Sequence, residues 1–354
     1  MKPLISVIIP VRDQLPRLQL TLVALEAQAE VSPAMIEVIV IDDGSSDGAA
    51  EAVRGWACTT PYRLSVLPSS SGGCRGVPRN LGAQAATSDV LLFLDADACP
   101  SRDLIRHHLA AQRSGARVAL GDCWVIPGTE SLLDPSTGTR FPRLAGAPDP
   151  AAIVIHPEEL RRRGDEVLAP HAIKGIYPGL EGWQLRVEDM LRTPGCLLSW
   201  LGVIPHNLSL GRDALIQLGG FDPFMRHAEG ADLGVRARHA GFELAFVEGA
   251  RSYHLYHHRD PTGQQAAVAE AQALLCRRYP SDGIEAAFLW MLSLDGDRYI
   301  PAELDLCNWR VVDRLQRDPA SRAALKSLYR RHQRLRHPGS LLDYLDGGAI
   351  NTGL

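Results

Sequence analysis

Residues 90 to 100 read VLLFLDADACP, an apolar run that ends in two carboxylates, Asp95 and Asp97, one residue apart. On a strand that continues through them, both point to one side, where a single cation or polar ligand meets both. Hard divalent ions such as Mg²⁺ and Mn²⁺ take oxygen ligands, and Mg²⁺ commonly sits between carboxylates and substrate phosphates. A solvated strand end produces the same pattern. A second acidic cluster, DDGSSD from Asp42 to Asp47, follows the apolar run IEVIVI. Ser45 or Ser46 can cap the next helix and Asp47 favours its first turn. Capping does not call for Asp42 and Asp43, which suit hydrogen bonds to a base imide or to ribose hydroxyls. The segment GVPRNLGA sets Arg79 and Asn80 at a helix start. Arg79 either neutralises a phosphate, braces a carboxylate bidentately, or is an ordinary solvated arginine.

These groups need a scaffold that gathers them. Ile5–Pro10 and Ile36–Ile41 are β-branched runs of the kind buried on both faces of a sheet. Leu64–Leu67 and Val90–Leu94 read as further strands. Helices are predicted over Leu15–Ala29, from DDGSSD to about Trp56, and over Arg79–Ala86. Strand and helix alternating at this spacing mean βαβ units and a mostly parallel sheet, whose ligands bind outside the carboxyl ends of the strands. Every polar cluster above falls at such an end. Residues 127–150 read as a long Pro/Gly/Ser/Thr-rich loop. Beyond it the pattern predicts a helix over Arg186–Leu191, a strand over Leu197–Ile204, helices over Arg212–Leu218 and Ala231–Ala240, and a strand over Leu244–Val247. After Pro261 the chain reads as α-helical.

The bulk properties exclude several classes. A net charge of −4 over 354 residues is the wrong sign for a general phosphate-backbone binder, and RRHQRLRH near the C-terminus suits a solvated helix face. The seven cysteines form no C-x-x-C pair and suit reduced thiols. The apolar run in MKPLISVIIPVRD is too short for a signal peptide, and no stretch approaches the roughly 20 apolar residues of a membrane span. The expectation is a cytoplasmic chain, or one peripheral to the inner face of a membrane. Neither G-x-G-x-x-G after the first strand nor a P-loop is present, which weakens dinucleotide and ATPase readings.

ISVIIPVRD, IEVIVIDDGSSDG, GVPRNLGA and VLLFLDADACP, followed by HNLSLGRDALIQLGGFDP, EGADLGVRARHAGFEL and YHLYHH, occur in an order and spacing that resembles family-2 glycosyltransferases of the GT-A fold. The resemblance covers roughly residues 4 to 258. It implies an α/β, GT-A type fold, with a mostly parallel Rossmann-like sheet flanked by helices and a helical C-terminal extension. Residues 1–100 would be the nucleotide-sugar-binding half and 101–260 the acceptor-binding and catalytic half of one domain, with 261–354 the extension. It implies a nucleotide-sugar donor, UDP-sugar foremost, and a divalent cofactor, Mn²⁺ or Mg²⁺. Pro10, Val11, Arg12, Asp13, Asp42, Asp43, Arg79, Asn80, Asp95 and Ala96 would line the nucleotide-sugar site. Asp95 would face the ribose and Asp97 the metal, which His254 would complete. His257 and His258 are lesser ligand candidates. His206 and Asn207 would contact donor sugar or acceptor, and Trp200, Trp183 or Tyr177 could stack on a sugar ring.

The resemblance also implies a carboxylate base from an E-D-x-D-L-x-x-R motif at a helix start. Here that stretch is Glu229-Gly230-Ala231-Asp232-Leu233-Gly234-Val235-Arg236, with Gly230 where the second acid is usual. Glu229 is the preferred base, ahead of Asp232, which falls inside the predicted helix. Asp222 in GGFDP is read as structural. Two functions follow from this: a metal-dependent transferase, most simply inverting, or a nucleotide-sugar-binding protein that has lost its base. The acceptor, whether a glycan, lipid-linked glycan, peptide or small metabolite, is not specified, and neither is the oligomeric state.

Overall fold

A computed structural model describes residues 2–127, 155–175, 181–257, 261–294, 300 and 305–336. The expected loop over 127–150 lies almost wholly outside the described residues, as do Tyr177 and His258. The N-terminal third follows the predicted alternation: β1 (Ile5–Val11), α1 (Leu15–Glu26), β2 (Ile36–Asp42), α2 (Ala49–Trp56), β3 (Arg63–Pro68), α3 (Gly76–Ala85) and β4 (Val90–Leu94). α1 stops three residues short of the expected Ala29. Gln28 turns its side chain back, donating to the carbonyls of Ala24 and Ser101 and accepting from the Ile105 amide.

The chain continues through β5 (Ala98–Pro100), α4 (Leu104–Arg113), β6 (Val118–Ile126), α5 (Pro157–Arg163), β7 (Ile173–Lys174) and α6 (Glu181–Arg192). It then forms β8 (Asn207–Gly211), α7 (Arg212–Gln217), α8 (Glu229–His239) and β9 (Leu244–Leu255). Helices α9 (Pro261–Arg278), α10 (Ile284–Leu294), α11 (Trp309–Arg317) and α12 (Pro319–Arg336) make up the described tail. None of the described helices is long and apolar enough to cross a membrane.

Among the described residues one nine-stranded sheet runs β3-β2-β1-β4-β8-β6-β9-β5, with β7 on β6. Pairings among β1 to β4 are parallel, as expected. β8 then enters antiparallel to both β4 and β6, so the second half of the sheet is mixed. Alternation along the strands builds two layers. Ile5, Val7 and Ile9 pack with α1, α2 and α4 residues on one face, while Ile8 and Phe93 join the core under α3, α8 and the tail helices on the other.

One expected strand is corrected. Leu197–Ile204 is not a strand; a 3₁₀ turn spans Ser199–Gly202 and the strand begins at Asn207. The run is apolar because it is buried beneath other elements, with Trp200 fully enclosed and edge-on to Phe288 at 6.4 Å. Short apolar runs do not by themselves separate strands from buried turns. β9 is also far longer than the predicted Leu244–Val247. Its pairing with β6 shifts register between Gly121 and Asp122, so that Val247 faces Gly121 but Arg251 faces Asp122. This bulge allows the strand to run on to His254, which pairs with Ala98 just past the two aspartates.

α4 is tied to the middle of the sheet by a buried histidine. His108 is fully enclosed and its ring nitrogens meet Ser209 Oγ and Asn207 Oδ1, both at 2.8 Å. Burial pushes its pKa down to about 4, against the pull of the Asn207 hydrogen bond. Below the ordinary imidazole value of 6.5 the unfolded chain takes up a proton that the native chain refuses until about pH 4. Stability contributed by the neutral ring is therefore complete above pH 6.5 and falls by about 3 kcal/mol as pH drops towards 4. Denaturant unfolding at pH 7 and 4.5 should show a smaller loss for His108→Gln than for the wild type; equal losses would refute this assignment.

Candidate active site

The turn that follows β4 holds both aspartates, with the Ala98 amide donating to the Asp95 carbonyl. The strand therefore does not continue through them, and the two carboxylates take different partners. Asp95 Oδ1 accepts from Arg79 at 2.6 Å, and Arg79 also donates to Glu229 Oε1 at 2.8 Å. Arg79, on α3, is 3% exposed and Glu229, the first residue of α8, is 4% exposed. A guanidinium so placed is the planar fork that two carboxylates can share. His206 Nδ1 stands 3.8 Å from the second oxygen of Asp95. Burial pushes the Asp95 carboxyl up, but Arg79 and then His206 outweigh it and hold the pKa at about 2.

Asp97 is 5% exposed and turns to the end of β9. Its Oδ2 lies 3.4 Å from His254 Nε2 and 3.1 Å from His257 Nε2. Burial works against its charge, yet the two imidazoles hold this carboxyl well below the usual carboxylate range. Its Oδ1 is buried and accepts no hydrogen bond among the described residues. Asp97, His254 and His257 present ligand atoms within 4.8 Å of one another, as do Asp95, Asp97 and His206. An orphaned carboxylate oxygen beside two imidazoles fits a divalent cation of the Mn²⁺ type.

Two cavities meet here. A cleft of about 590 Å³ opens along the carboxyl ends of β1, β2 and β4, lined by Pro10, Val11, Arg12, Asp43, Ala96 and Asp97 among others. A second cavity, of about 570 Å³, lies towards α9 and α10 and is lined by Glu229, His206, His254 and Trp200. Arg75, Arg79, Asp95 and His227 line both. Arg75, Arg226 and His227 carried no motif of their own; His227 stands just before the EGAD segment, which was the available signal.

Other expected site residues are engaged elsewhere and line neither cavity. Asp13, held at φ 54°, accepts from the Ser46 amide at 2.7 Å and braces the turn after β2. Asp42 accepts from the Ser45 amide. Asn80 exchanges two hydrogen bonds with the Phe221 backbone and fixes the GGFDP turn. Asn207 is buried, donating to Ala250 O and Ser252 Oγ and accepting from His108. Asp222 caps its own turn and pairs with Arg278, as a structural residue would. Asp43 does line the cleft, with its carboxylate bridged to Ser69 and Ser71.

The departure at Gly230 has a packing reason. A β-carbon there would run into the Val203 carbonyl and Pro205, so α8 lies too close to that segment for any side chain. Asp232 is fully enclosed and held by Arg236, Arg278 and Tyr279. It ties α8 to α9 and lines neither cavity, whereas Glu229 lines the second.

A parallel half-sheet with a cleft at its strand ends, continued by an antiparallel strand and a paired-aspartate turn at the centre, is the architecture of GT-A glycosyltransferases. The model of the family described as Glycosyl transferase family 2 matches residues 6–167. It is 34% identical over 290 residues to validoxylamine A glucosyltransferase of Streptomyces hygroscopicus subsp. limoneus, covering 79% of this chain and 57% of that protein. The chain spans less than two thirds of the length of the curated relatives it matches. In fold it is similar to S. aureus TarS 1–349, with a TM-score of 0.55 and 17% identity over 98% of this chain and 89% of that one. TarS 1–349 in complex with UDP-GlcNAc gives a TM-score of 0.50 and 16% identity, covering 96% and 93%.

Restoring the usual acid should therefore not help. Gly230→Asp is expected to push the 203–205 segment away and lower the thermal midpoint by about 5 °C or more, as overpacking does. Calorimetric melting checks this, and a variant as stable as the wild type would sink the packing explanation.

Proposed function

We propose that this chain transfers a sugar from a nucleoside diphosphate sugar, UDP-sugar foremost, to an acceptor hydroxyl, with inversion at the anomeric carbon. The observation that carries the reading is the Asp95–Arg79–Glu229 relay, set where the two cavities meet. The cleft over β1, β2 and β4 would take the donor, with Asp43, Arg12 and the Pro10–Val11 backbone around the nucleoside and Asp95 at the ribose. The second cavity would take the acceptor, so residues 101–260 and the tail helices shape that side. The UDP-GlcNAc complex of the TarS neighbour and the glucosyl transfer named for the Streptomyces relative make UDP-sugars the first donors to try.

In the reaction the acceptor oxygen bonds to the anomeric carbon while the bond from that carbon to the diphosphate breaks. The electron pair leaves on the diphosphate, and the hydroxyl proton passes to Glu229. Its Oε1 is held by Arg79, and Oε2 takes no hydrogen bond among the described residues, which leaves it for the acceptor. Base catalysis of this kind contributes typically about 10²- to 10⁴-fold. Asp97, His254 and His257 would hold Mn²⁺ or Mg²⁺, which when bound supplies an electrophile to the leaving diphosphate. Arg79 and Arg75 add fixed positive charge at the same junction.

Release of UDP from UDP-glucose and UDP-GlcNAc with Mn²⁺, with and without acceptors, tests this reading. EDTA should stop turnover and Mn²⁺ restore it; Asp97→Asn should lose the restoration. Glu229→Gln should lower kcat by about a hundredfold or more while nucleotide still binds. If nucleotide binds the wild type but neither hydrolysis nor transfer occurs with any acceptor, the chain is a nucleotide-sugar-binding protein instead.

A further inference from the structure

The second cavity is divided by chemistry. Its polar groups gather at one end, in mutual contact: Arg79 with Asp95 and Glu229, His206 beside Asp95, and the His206 and His254 rings 5.3 Å apart. The remaining wall presents half-buried apolar side chains, Trp183 from α6, Ile204, Val268 from α9, and Met291 and Leu294 from α10, over the buried Trp200, Leu275 and Phe288. Among the described residues, Arg186, Gln272 and the indole N–H groups of Trp183 and Trp200 are the polar groups added away from the junction. A hydroxyl-rich ring seated on such a wall would lose its water with few partners in exchange, at roughly 1–3 kcal/mol for each unpaired hydroxyl. Apolar surface placed there instead gains about 25 cal/mol per Å².

We propose that the acceptor is an alcohol carried on a compact apolar body, which packs against Trp183, Val268 and Met291 while its hydroxyl reaches Glu229. A cavity of about 570 Å³ is in the range of small-molecule sites. Its continuity with the cleft through Arg75, Arg79, Asp95 and His227 directs the hydroxyl to the reacting carbon. The inference rests on the transferase reading above and names the substrate class for it.

Two measurements test it. With Mn²⁺ and whichever of UDP-glucose or UDP-GlcNAc is turned over, kcat/KM is measured for ethanol through 1-hexanol, cyclohexylmethanol and benzyl alcohol, against glucose and methyl glucoside. The expected result is a rise of about fourfold per buried methylene until the cavity is full, with both sugars poor acceptors. Independently of turnover, the ε-methyl signal of Met291, one of five methionines and assigned with Met291→Leu, should shift on addition of cyclohexanol but not of glucose. A flat alcohol series, preference for the sugars, or an unmoved Met291 signal would overturn the proposal. If cyclohexanol moves the signal but no nucleotide sugar is turned over with any acceptor, the transferase reading fails and the apolar site stands.

Discussion

Everything around this site depends on one buried arrangement of charge, Arg79 shared between Asp95 and Glu229. The three groups come from α3, from the turn after β4 and from the first turn of α8, so the guanidinium joins the parallel half of the sheet to the helix beyond its antiparallel strand. Removing one member of such a buried set strands the others, at a penalty of about 3–5 kcal/mol. The relay is thus a constraint on the fold as well as a feature of the chemistry. It stands between the two cavities, because Arg79 and Asp95, with Arg75 and His227, form the wall they share, and Glu229 faces the second.

Two further devices keep that wall in place. The bulge in β9 lengthens the strand enough to bring His254 beside Asp97, where the bare aspartate would otherwise be a buried charge without a cation or a donor. Asp232 anchors α8 to α9 through Arg278 and Tyr279, and the tight approach at Gly230 seats the helix on the 203–205 segment. The two acids of α8 therefore divide their duties by helical position. Glu229, at the first turn, faces the junction; Asp232, three residues on, faces the core.

Much of the fold was legible because its signals are local. β-Branched runs with polar ends marked β1, β2 and β4 to within a residue or so, and the helices between them followed from apolar spacing. The paired aspartates stood out for the same reason. Where reading by pattern failed, the deciding contact was remote. The run around Trp200 looks like a strand because it is apolar, but it is apolar because helices from the tail cover it. Asp13, Asp42, Asn80 and Asn207 are polar residues beside the motifs, and only their hydrogen bonds reveal that each braces a turn or a core network.

The sequence by itself determined the class of fold, the order of the polar strand ends and the segments from which a site would be built. These follow from hydrophobic periodicity and residue type, which act over a few residues. Tertiary structure alone decided which charges meet. Arg79 lies 16 residues from Asp95 and 150 from Glu229, and nothing in its neighbourhood distinguishes it from a solvated arginine. Its role appears only when desolvation makes an unshared charge too costly and the fold supplies two carboxylates to share it.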